Sequence, residues 1–187
     1  MNISVFDMFK IGIGPSSSHT VGPMFAAKQF LLNCIKIFPL TSISSLKIEL
    51  FGSLALTGKG HGTDKAILMG LEGEEPSLVD PNNIPERLKY IRENKTLSLL
   101  NEHKISFDED NSLVFFNDKV LPHHSNGMRF YALSNKGDIL FKEEIYSVGG
   151  GFILNADEIN SFKKPKISNI PFPFHTCNEL FTHYKKT

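Results

Sequence analysis

Apolar residues recur at three- and four-residue steps between Thr20 and Phe38, which is the spacing of one face of an α-helix. The apolar positions of this stripe are Val21, Met24, Ala27, Phe30, Leu31, Cys34 and Phe38. Pro23 falls in the first turn, where a helix tolerates proline. The pattern therefore predicts an amphipathic helix over 20–38 and makes Cys34 a buried core thiol.

A period of two replaces the helical spacing in residues 45–53. One side of this stretch carries Leu46, Ile48 and Leu50, and the other carries Lys47 and Glu49. Such alternation predicts a strand with one face on the core and one face in water. A glycine-punctuated loop follows, and then a short helix from about Thr63. Residues 85–94 predict a surface helix that buries Leu88 and Ile91.

The second half of the chain is dominated by β patterns. Ile, Phe, Val and Tyr alternate or cluster within 103–116, 128–134 and 138–154, with Asn, Asp and Gly between these runs. Such runs are typical of antiparallel strands joined by tight turns. The predicted order is helix, strand, helix, helix and then several adjacent strands, which indicates an α+β fold without a βαβ repeat.

The two ends of the chain have their own patterns. Ser4 is a plausible N-cap for a short helical turn. A segment from 161 that contains proline and lysine indicates a linker, and a threonine-capped helix is expected to begin near Thr176. We therefore divide the chain into a domain at 1–160 and a linker with a first helix at 161–187.

Composition narrows the class of protein. The 187 residues carry a formal net charge of zero, which argues against a nucleic-acid footprint or a polybasic membrane anchor. No apolar run approaches the ~20 residues of a membrane span, and Asp7 and Lys10 interrupt any signal-peptide core. The two cysteines suggest neither a disulfide framework nor a metal site. The expectation is a soluble, cytoplasmic protein.

Four clusters of glycine and polar residues are candidates for chemistry, and we expect all four to be loops. They occupy 14–20, 58–64, 122–128 and 149–152. The first precedes a helix, where backbone N–H groups and the helix dipole favour an anion. Its side chains are those of Ser16, Ser17, Ser18, His19 and Thr20. Hydroxyls and a titratable imidazole suit a carboxylate or a phosphate, and an ordinary helix cap is the alternative.

The second cluster sets His61 between two glycines, which clear bulk from around its ring. A histidine that titrates near neutral pH is a candidate general base, and Lys59, Thr63 and Asp64 could orient it or bind an acid group. The alternative is a glycine-rich loop with an exposed histidine. Neither a P-loop nor a Ser-His-Asp set can be assembled from the spacing.

The remaining two clusters are weaker candidates. His123 and His124 precede Ser-Asn-Gly and could reach a substrate from a loop, although an Asn-Gly turn at Asn126 is the alternative. The glycines at 149–151 permit a close backbone approach or a bulge.

Taken in order, these stretches resemble the N-terminal (β) domain of the iron–sulfur L-serine dehydratases, the L-serine ammonia-lyases, of the single-chain bacterial type. The matching segments are 4–24, 51–67, 124–128 and 146–153. The resemblance implies conversion of L-serine to pyruvate and ammonia with a [4Fe–4S] cluster. It also implies an antiparallel sheet with helices packed on one face, similar to the allosteric substrate-binding domain of phosphoglycerate dehydrogenases.

The resemblance also implies roles for the candidate residues. His61 is the expected base for the α-proton of L-serine, and 16–20 would bind the substrate carboxylate or shape the cleft. Lys59, Thr63 and Asp64 are grouped with the carboxylate-binding residues, and His124 and Asn126 would line the same cleft.

One departure from the family limits these roles. The family holds its cluster with cysteines of a C-terminal α domain, and neither Cys34 nor Cys177 looks like a replacement. We therefore expect no cluster ligands in this chain, a partner α domain in cis or in trans, and a homodimer. The first hypothesis is that this chain is half of an enzyme, which the α domain completes. The alternative is that it is a non-catalytic module that binds a small acid for regulation or dimerisation. A third hypothesis is that it is a relic of a broken gene and does not fold.

Overall fold

The architecture is α+β and is built on a five-stranded mixed sheet. It was obtained as a computed structural model that describes residues 10–161, 174 and 176–184. The helices are α1 (Val21–Cys34), α2 (Ser53–His61), α3 (Thr63–Leu71), α4 (Ile84–Asn94), α5 (Glu109–Ser112), α6 (Ala156–Ser161) and α7 (Cys177–Tyr184), with a 3-10 turn at Leu40–Ser42. The strands are β1 (Ser45–Phe51), β2 (Thr96–Leu99), β3 (His103–Ser106), β4 (Leu113–Phe116), β5 (Gly127–Leu133), β6 (Ile139–Gly149) and β7 (Phe152–Asn155).

The strand order of the main sheet is β4-β1-β5-β6-β7. The expectation of an antiparallel sheet holds for three of its neighbouring pairs but is wrong for β1 and β4, which run parallel. Residues 52–112 lie between these two strands, and a long crossover of this kind returns the chain in the same direction. Part of it forms a separate two-stranded sheet from β2 and β3, of which β2 was not predicted.

Helices α1 and α3 cover one face of the sheet and enclose the main core. Phe30 of α1 stacks on Phe130 of β5 with 5.2 Å between ring centroids. Cys34 is wholly buried, as predicted. The helix ends there rather than at Phe38, and the following turn leaves Ile37 exposed.

The opposite face of the sheet is less open to water than the alternation in β1 predicts. Glu49 is only 5% exposed, because Lys47, Arg129 and Tyr131 surround its carboxylate at 2.8 to 3.2 Å. Burial acts to raise the pKa of Glu49, but hydrogen bonds and charge from these three neighbours outweigh it and lower the pKa. The prediction of an outward, solvated Glu49 is therefore wrong, because cross-strand partners cover it.

The same face carries a second, smaller core. Phe51, Leu121 and Tyr146 are buried together, and Ala156 and Ile159 of α6 pack against them. The prediction that the helices pack on one face of the sheet therefore holds for α1 and α3. It is wrong for α6, which packs on the other face.

The remaining predictions concern the helix at 85–94 and the chain ends. α4 buries Leu88 and Ile91, as predicted. The predicted cap of the last helix is also confirmed, since the backbone N–H of Glu179 donates to Thr176 Oγ1 at 3.2 Å. The turn at Ser4 and most of the predicted linker, 162–173, lie outside the described residues, and the division of the chain at 160 stays a prediction. Within the part of the chain that the structure describes, no helix is long and apolar enough to cross a membrane.

Candidate functional site

The beginning of α1 is the place where all four polar clusters come together. Cluster 14–20 leads directly into it. The second cluster reaches it through Thr63, whose buried hydroxyl donates to the carbonyl oxygen of His19 at 2.7 Å. The third is linked to it through Ser147, which exchanges hydrogen bonds with Asn126 and faces Gly22. The fourth reaches it through Gly151, which lies next to Val21. Residues far apart in sequence thus surround one helix terminus.

In the serine loop, residues 14–20, the hydroxyls of Ser16 and Ser18 point to His19 rather than to the helix. Ser18 Oγ lies 3.0 Å and Ser16 Oγ 3.3 Å from His19 Nδ1. Thr20 occupies the N-cap position of α1 without a side-chain cap bond, and its hydroxyl donates to Ser16 O at 2.7 Å. The simple helix-cap alternative therefore does not describe this loop.

The helix amides are less available to an anion than the sequence suggests. The N–H of Gly22 donates to Ser17 O at 2.9 Å, and the N–H of Met24 donates to Thr20 O at 3.0 Å. Pro23 has no N–H to offer. Side-chain hydroxyls and the His19 ring are consequently the stronger donors in this loop.

His19 is held at both ring nitrogens and is only 9% exposed. Its Nε2 lies 3.1 Å from the hydroxyl of Ser53, the first residue of α2. Burial, and secondarily the neighbouring His61, lower the pKa of His19. The ring is thereby kept neutral at pH 7.

His61 is the last residue of α2, so cluster 58–64 is not the loop that its glycines predict. The helix continues through Gly58 and Gly60 and ends at Gly62, whose φ of 81° is a left-handed conformation that favours glycine. The α3 helix begins at the next residue, Thr63. The same glycines that indicated a loop are compatible with one short helix and its C-cap.

The ring of His61 has a defined proton position. Its Nδ1 lies 2.9 Å from the carbonyl oxygen of Thr57, and a carbonyl oxygen only accepts, so Nδ1 carries the proton. In the neutral form of the ring, the lone pair is therefore on Nε2. The rings of His61 and His19 lie side by side, with centroids 4.8 Å apart.

Lys59 and Asp64 are engaged away from the two histidines. Lys59 Nζ lies over the ring of Phe115, 5.3 Å from its centroid. Asp64 accepts from Arg92 at 3.1 Å. Their expected roles at the site stay predictions, to which this geometry adds no support.

His124 and Asn126 form a compact turn behind the starts of α1 and α2. The N–H of Asn126 donates to His124 Nδ1 at 3.0 Å, and its side-chain amide donates to Ser147 O at 3.2 Å. The carbonyl of Ser125 accepts from the N–H of Ser53 at 3.0 Å. The turn is thereby tied to the residue that contacts His19.

Two buried polar atoms near this turn have no hydrogen-bond partner among the described residues. They are Asn126 Oδ1 and Ser147 Oγ, and Ser147 Oγ faces Gly22, where a Cβ would overlap it. A buried polar atom without a hydrogen-bond partner destabilises the fold. A water molecule or a ligand group that formed a hydrogen bond with either atom would therefore be stabilising.

The three glycines at 149–151 all have positive φ, at 102°, 59° and 79°. A Cβ on Gly151 would lie 2.7 Å from Val21 Cγ1, and the β6–β7 register shifts between Ser147 and Gly149. Of the two alternatives for this segment, the close backbone approach is therefore confirmed at Gly151, and the irregular strand pairing lies at the edge of the segment, before Gly149.

Sequence reasoning missed Ser53 and Ser147. Ser53 follows Gly52, whose φ of 56° turns the chain sharply from β1 into α2, and a glycine-serine pair after a strand was the only available signal. Ser147 lies within a run that reads as an ordinary strand, so nothing in its local pattern distinguishes it.

The lowered pKa of His19 has a consequence for stability. A histidine in the unfolded chain titrates near pH 6.5, so below that pH the unfolded state binds more protons than the folded state. We expect the free energy of unfolding to be fully retained above about pH 6.5 and to fall as the pH decreases through the pKa of folded His19. Urea unfolding at pH 7.5 and 5.5 measures this loss.

His19→Gln should reduce the loss, and the exposed His123→Gln serves as the matched control. An equal loss in wild type and His19→Gln would contradict the assignment.

Comparison with known proteins agrees with these motifs. The family model described as "Serine dehydratase beta chain" matches residues 4–158. The chain is 43% identical to an L-serine dehydratase of Streptomyces coelicolor over 188 residues, which covers 100% of this chain and 41% of the relative. It is 43% identical to L-serine dehydratase 1 of Escherichia coli K12 over 186 residues, 99% of this chain and 40% of the relative. It is 40% identical to an L-serine dehydratase of Helicobacter pylori over 182 residues, 96% of this chain and 39% of the relative.

The chain thus spans about two fifths of the length of the curated relatives it matches. The family match covers most of the chain and includes the serine loop, both histidines and the three glycines. The chain therefore belongs to the serine dehydratase beta chain family.

Proposed function

We propose that this chain is the β-domain part of an L-serine ammonia-lyase, which converts L-serine to pyruvate and ammonia. It contributes binding of the substrate carboxylate and the general base to a site that a [4Fe–4S] domain completes. The observation that carries the proposal is the paired His19 and His61, 4.8 Å apart beside the serine loop.

The substrate carboxylate is bound by neutral donors. Ser16 and Ser18 lie 3.2 Å apart at their hydroxyl oxygens, and both contact the His19 ring. Hydroxyls rotate to suit a partner, so a carboxylate can replace the Ser16–Ser18 contact without a change in the backbone. The positive end of α1 adds a favourable field for the negative charge.

His61 is suited to remove the α-proton of the bound serine. Its Nδ1 proton is fixed on Thr57 O, which leaves Nε2 as the atom that takes the proton. Burial lowers the pKa of His19, so the neighbouring ring places no positive charge beside His61 at neutral pH. The β-hydroxyl leaves as water and gives aminoacrylate, which tautomerises to an imine; addition of one water to the imine then releases pyruvate and ammonia.

The residues of this chain do not fit a [4Fe–4S] cluster. Such a cluster is held by a set of cysteine thiolates, and the chain has two cysteines. Cys34 is wholly buried in the core and Cys177 is on the separate helix α7. The cluster ligands therefore belong to an α domain that joins this chain in cis or in trans.

The complete enzyme is a soluble, cytoplasmic homodimer in this proposal. The neutral net charge of the chain supports a protein without nucleic-acid or membrane partners.

The direct test combines the chain with the portion that its relatives carry beyond the match, as one polypeptide or as two. We expect pyruvate to form from L-serine in the combined protein and not in the chain alone. A combined protein loaded with its cluster and without lyase activity would contradict the proposal.

The carboxylate claim has its own measurement, a titration of the combined protein with substrate fragments. D-lactate and L-lactate retain a carboxylate and should compete with L-serine, whereas ethanolamine lacks the carboxylate and should not. Equal binding of ethanolamine and lactate would show that the serine loop does not recognise the substrate carboxylate.

The alternative function is that of a regulatory module that binds a small acid but catalyses no reaction. The hydroxyls of Ser16 and Ser18 and the His19 ring support it as well, because they would bind a small acid in the same way. Turnover that survives replacement of His61, together with L-serine binding that depends on the serine loop, would favour this alternative.

A further inference from the structure

Among the residues that the structure describes, Ser53 is the one outside the serine loop whose side chain forms a hydrogen bond with a ring nitrogen of His19. Its hydroxyl lies 3.1 Å from His19 Nε2, 34 positions along the chain, and its side chain is half-buried. The contact joins the start of α2 to the loop that precedes α1.

The backbone holds Ser53 in place from two sides. Gly52 has φ 56° and ψ −127°, a conformation that essentially only glycine adopts, and a Cβ there would overlap the carbonyl of Ser125. The N–H groups of Gly52 and Ser53 donate to Lys119 O and Ser125 O at 2.8 and 3.0 Å. The Ser53 hydroxyl is therefore presented to His19 by a rigid turn.

The ring of His19 depends on this hydroxyl for its orientation. Its Nδ1 contacts only the flexible hydroxyls of Ser16 and Ser18 among the described residues. Ser and Thr hydroxyls both donate and accept, so these contacts do not by themselves select one ring tautomer or one ring orientation. Ser53 fixes the opposite nitrogen from a separate element, and two anchors on opposite sides of a ring define its plane.

We propose that Ser53 is a positioning residue that holds the neutral His19 ring against His61 and next to the substrate carboxylate. The inference rests on the proposed function, in which His19 is a carboxylate donor and His61 the base. Its consequence is that loss of the Ser53 hydroxyl misplaces His19 without removing any group that touches substrate.

The first test reads the His19 ring directly, by long-range ¹H–¹⁵N correlation of histidine-labelled protein, assigned with His19→Gln. We expect Ser53→Ala to change the ring ¹⁵N shifts and the tautomer ratio of His19, and Ser53→Thr to retain the wild-type signals. Ser112→Ala is the matched control, a half-buried serine on α5. Unchanged His19 signals in Ser53→Ala would overturn the inference.

The second test measures turnover in the combined protein. Because small misplacements of binding groups lower rates strongly, we expect kcat to fall about 10- to 100-fold in Ser53→Ala. Ser53→Thr, which retains the hydroxyl, and Ser112→Ala should both behave as wild type. An unchanged kcat in Ser53→Ala would equally overturn the positioning role. If Ser53→Ala does not fold, as judged by its thermal transition, Ser53→Cys retains the size of the side chain with a weaker hydrogen bond and replaces it in both tests.

The two proposals fail in different ways. Lyase turnover that survives His61→Ala would contradict the proposed function, whereas the ¹⁵N signals of His19 report on Ser53 independently of any activity.

Discussion

His61→Ala in the combined protein should lower kcat for L-serine by about 10²- to 10⁴-fold, the usual contribution of a general base. Binding of L-serine should persist, because the hydroxyls of Ser16 and Ser18 and the ring of His19 are untouched. The fold should also persist, since His61 is only half-buried at the end of α2. Steady-state rates of pyruvate formation, with L-serine binding measured by calorimetry, check both expectations.

Two further measurements separate a base from a structural residue. Added imidazole should restore part of the turnover of His61→Ala, because it can occupy the space of the deleted ring and accept the proton. Lys65→Ala, an exposed change on the helix that follows, should behave as wild type. Full turnover in His61→Ala would contradict the assignment of the base.

Gly70→Ala is expected to destabilise the fold by about 1–3 kcal/mol, the range for overpacking a closely packed core. A Cβ at position 70 would overlap the carbonyl oxygen of Met24 and lie 3.0 Å from the Cβ of Ala27. Both belong to α1, so α1 and α3 must move apart to accept the methyl group. The serine loop, which leads into α1, would shift with it.

Gly60→Ala provides the matched comparison. Gly60 is also helical, in α2, but no atom lies within 4 Å of a Cβ built on it. The same substitution there should stabilise the protein by about 0.5–1 kcal/mol, since alanine is the better helix former. Urea unfolding of the two variants measures the contrast, and equal effects would show that the α1–α3 contact does not limit stability.

Much of the fold was predictable because it is encoded in local periodicity. The part of the predicted stripe from Val21 to Cys34 and the alternation of Leu46, Ile48 and Leu50 both describe buried faces, and the structure buries these residues. Glu49 shows the limit of such reasoning. Alternation assigns a face of the strand, but what covers that face is decided by Arg129 and Tyr131 on a neighbouring strand.

Glycine-rich segments were predictable only in part, because glycine permits several conformations at similar cost. At 149–151 the positive φ values use that freedom, as expected. At 58–62 the helix continues through two glycines and only Gly62 adopts a left-handed conformation. A Cβ on Gly58 would lie 3.2 Å from Thr63 and 3.4 Å from Phe115, and this close packing cannot be read from the local sequence pattern.

The sequence by itself determined the α+β class, the main helix and strands, and four polar clusters that carry the family resemblance. These features can be read from the sequence because they depend on the spacing of apolar and polar residues along the chain. Only the tertiary structure decided that β4 lies parallel to β1, that the four clusters meet at the start of α1, and that Ser53 joins His19 while Lys59 and Asp64 are engaged elsewhere. The physical reason is that such contacts join residues tens of positions apart, and their geometry is set by how helices and strands pack rather than by the neighbours of each residue in sequence.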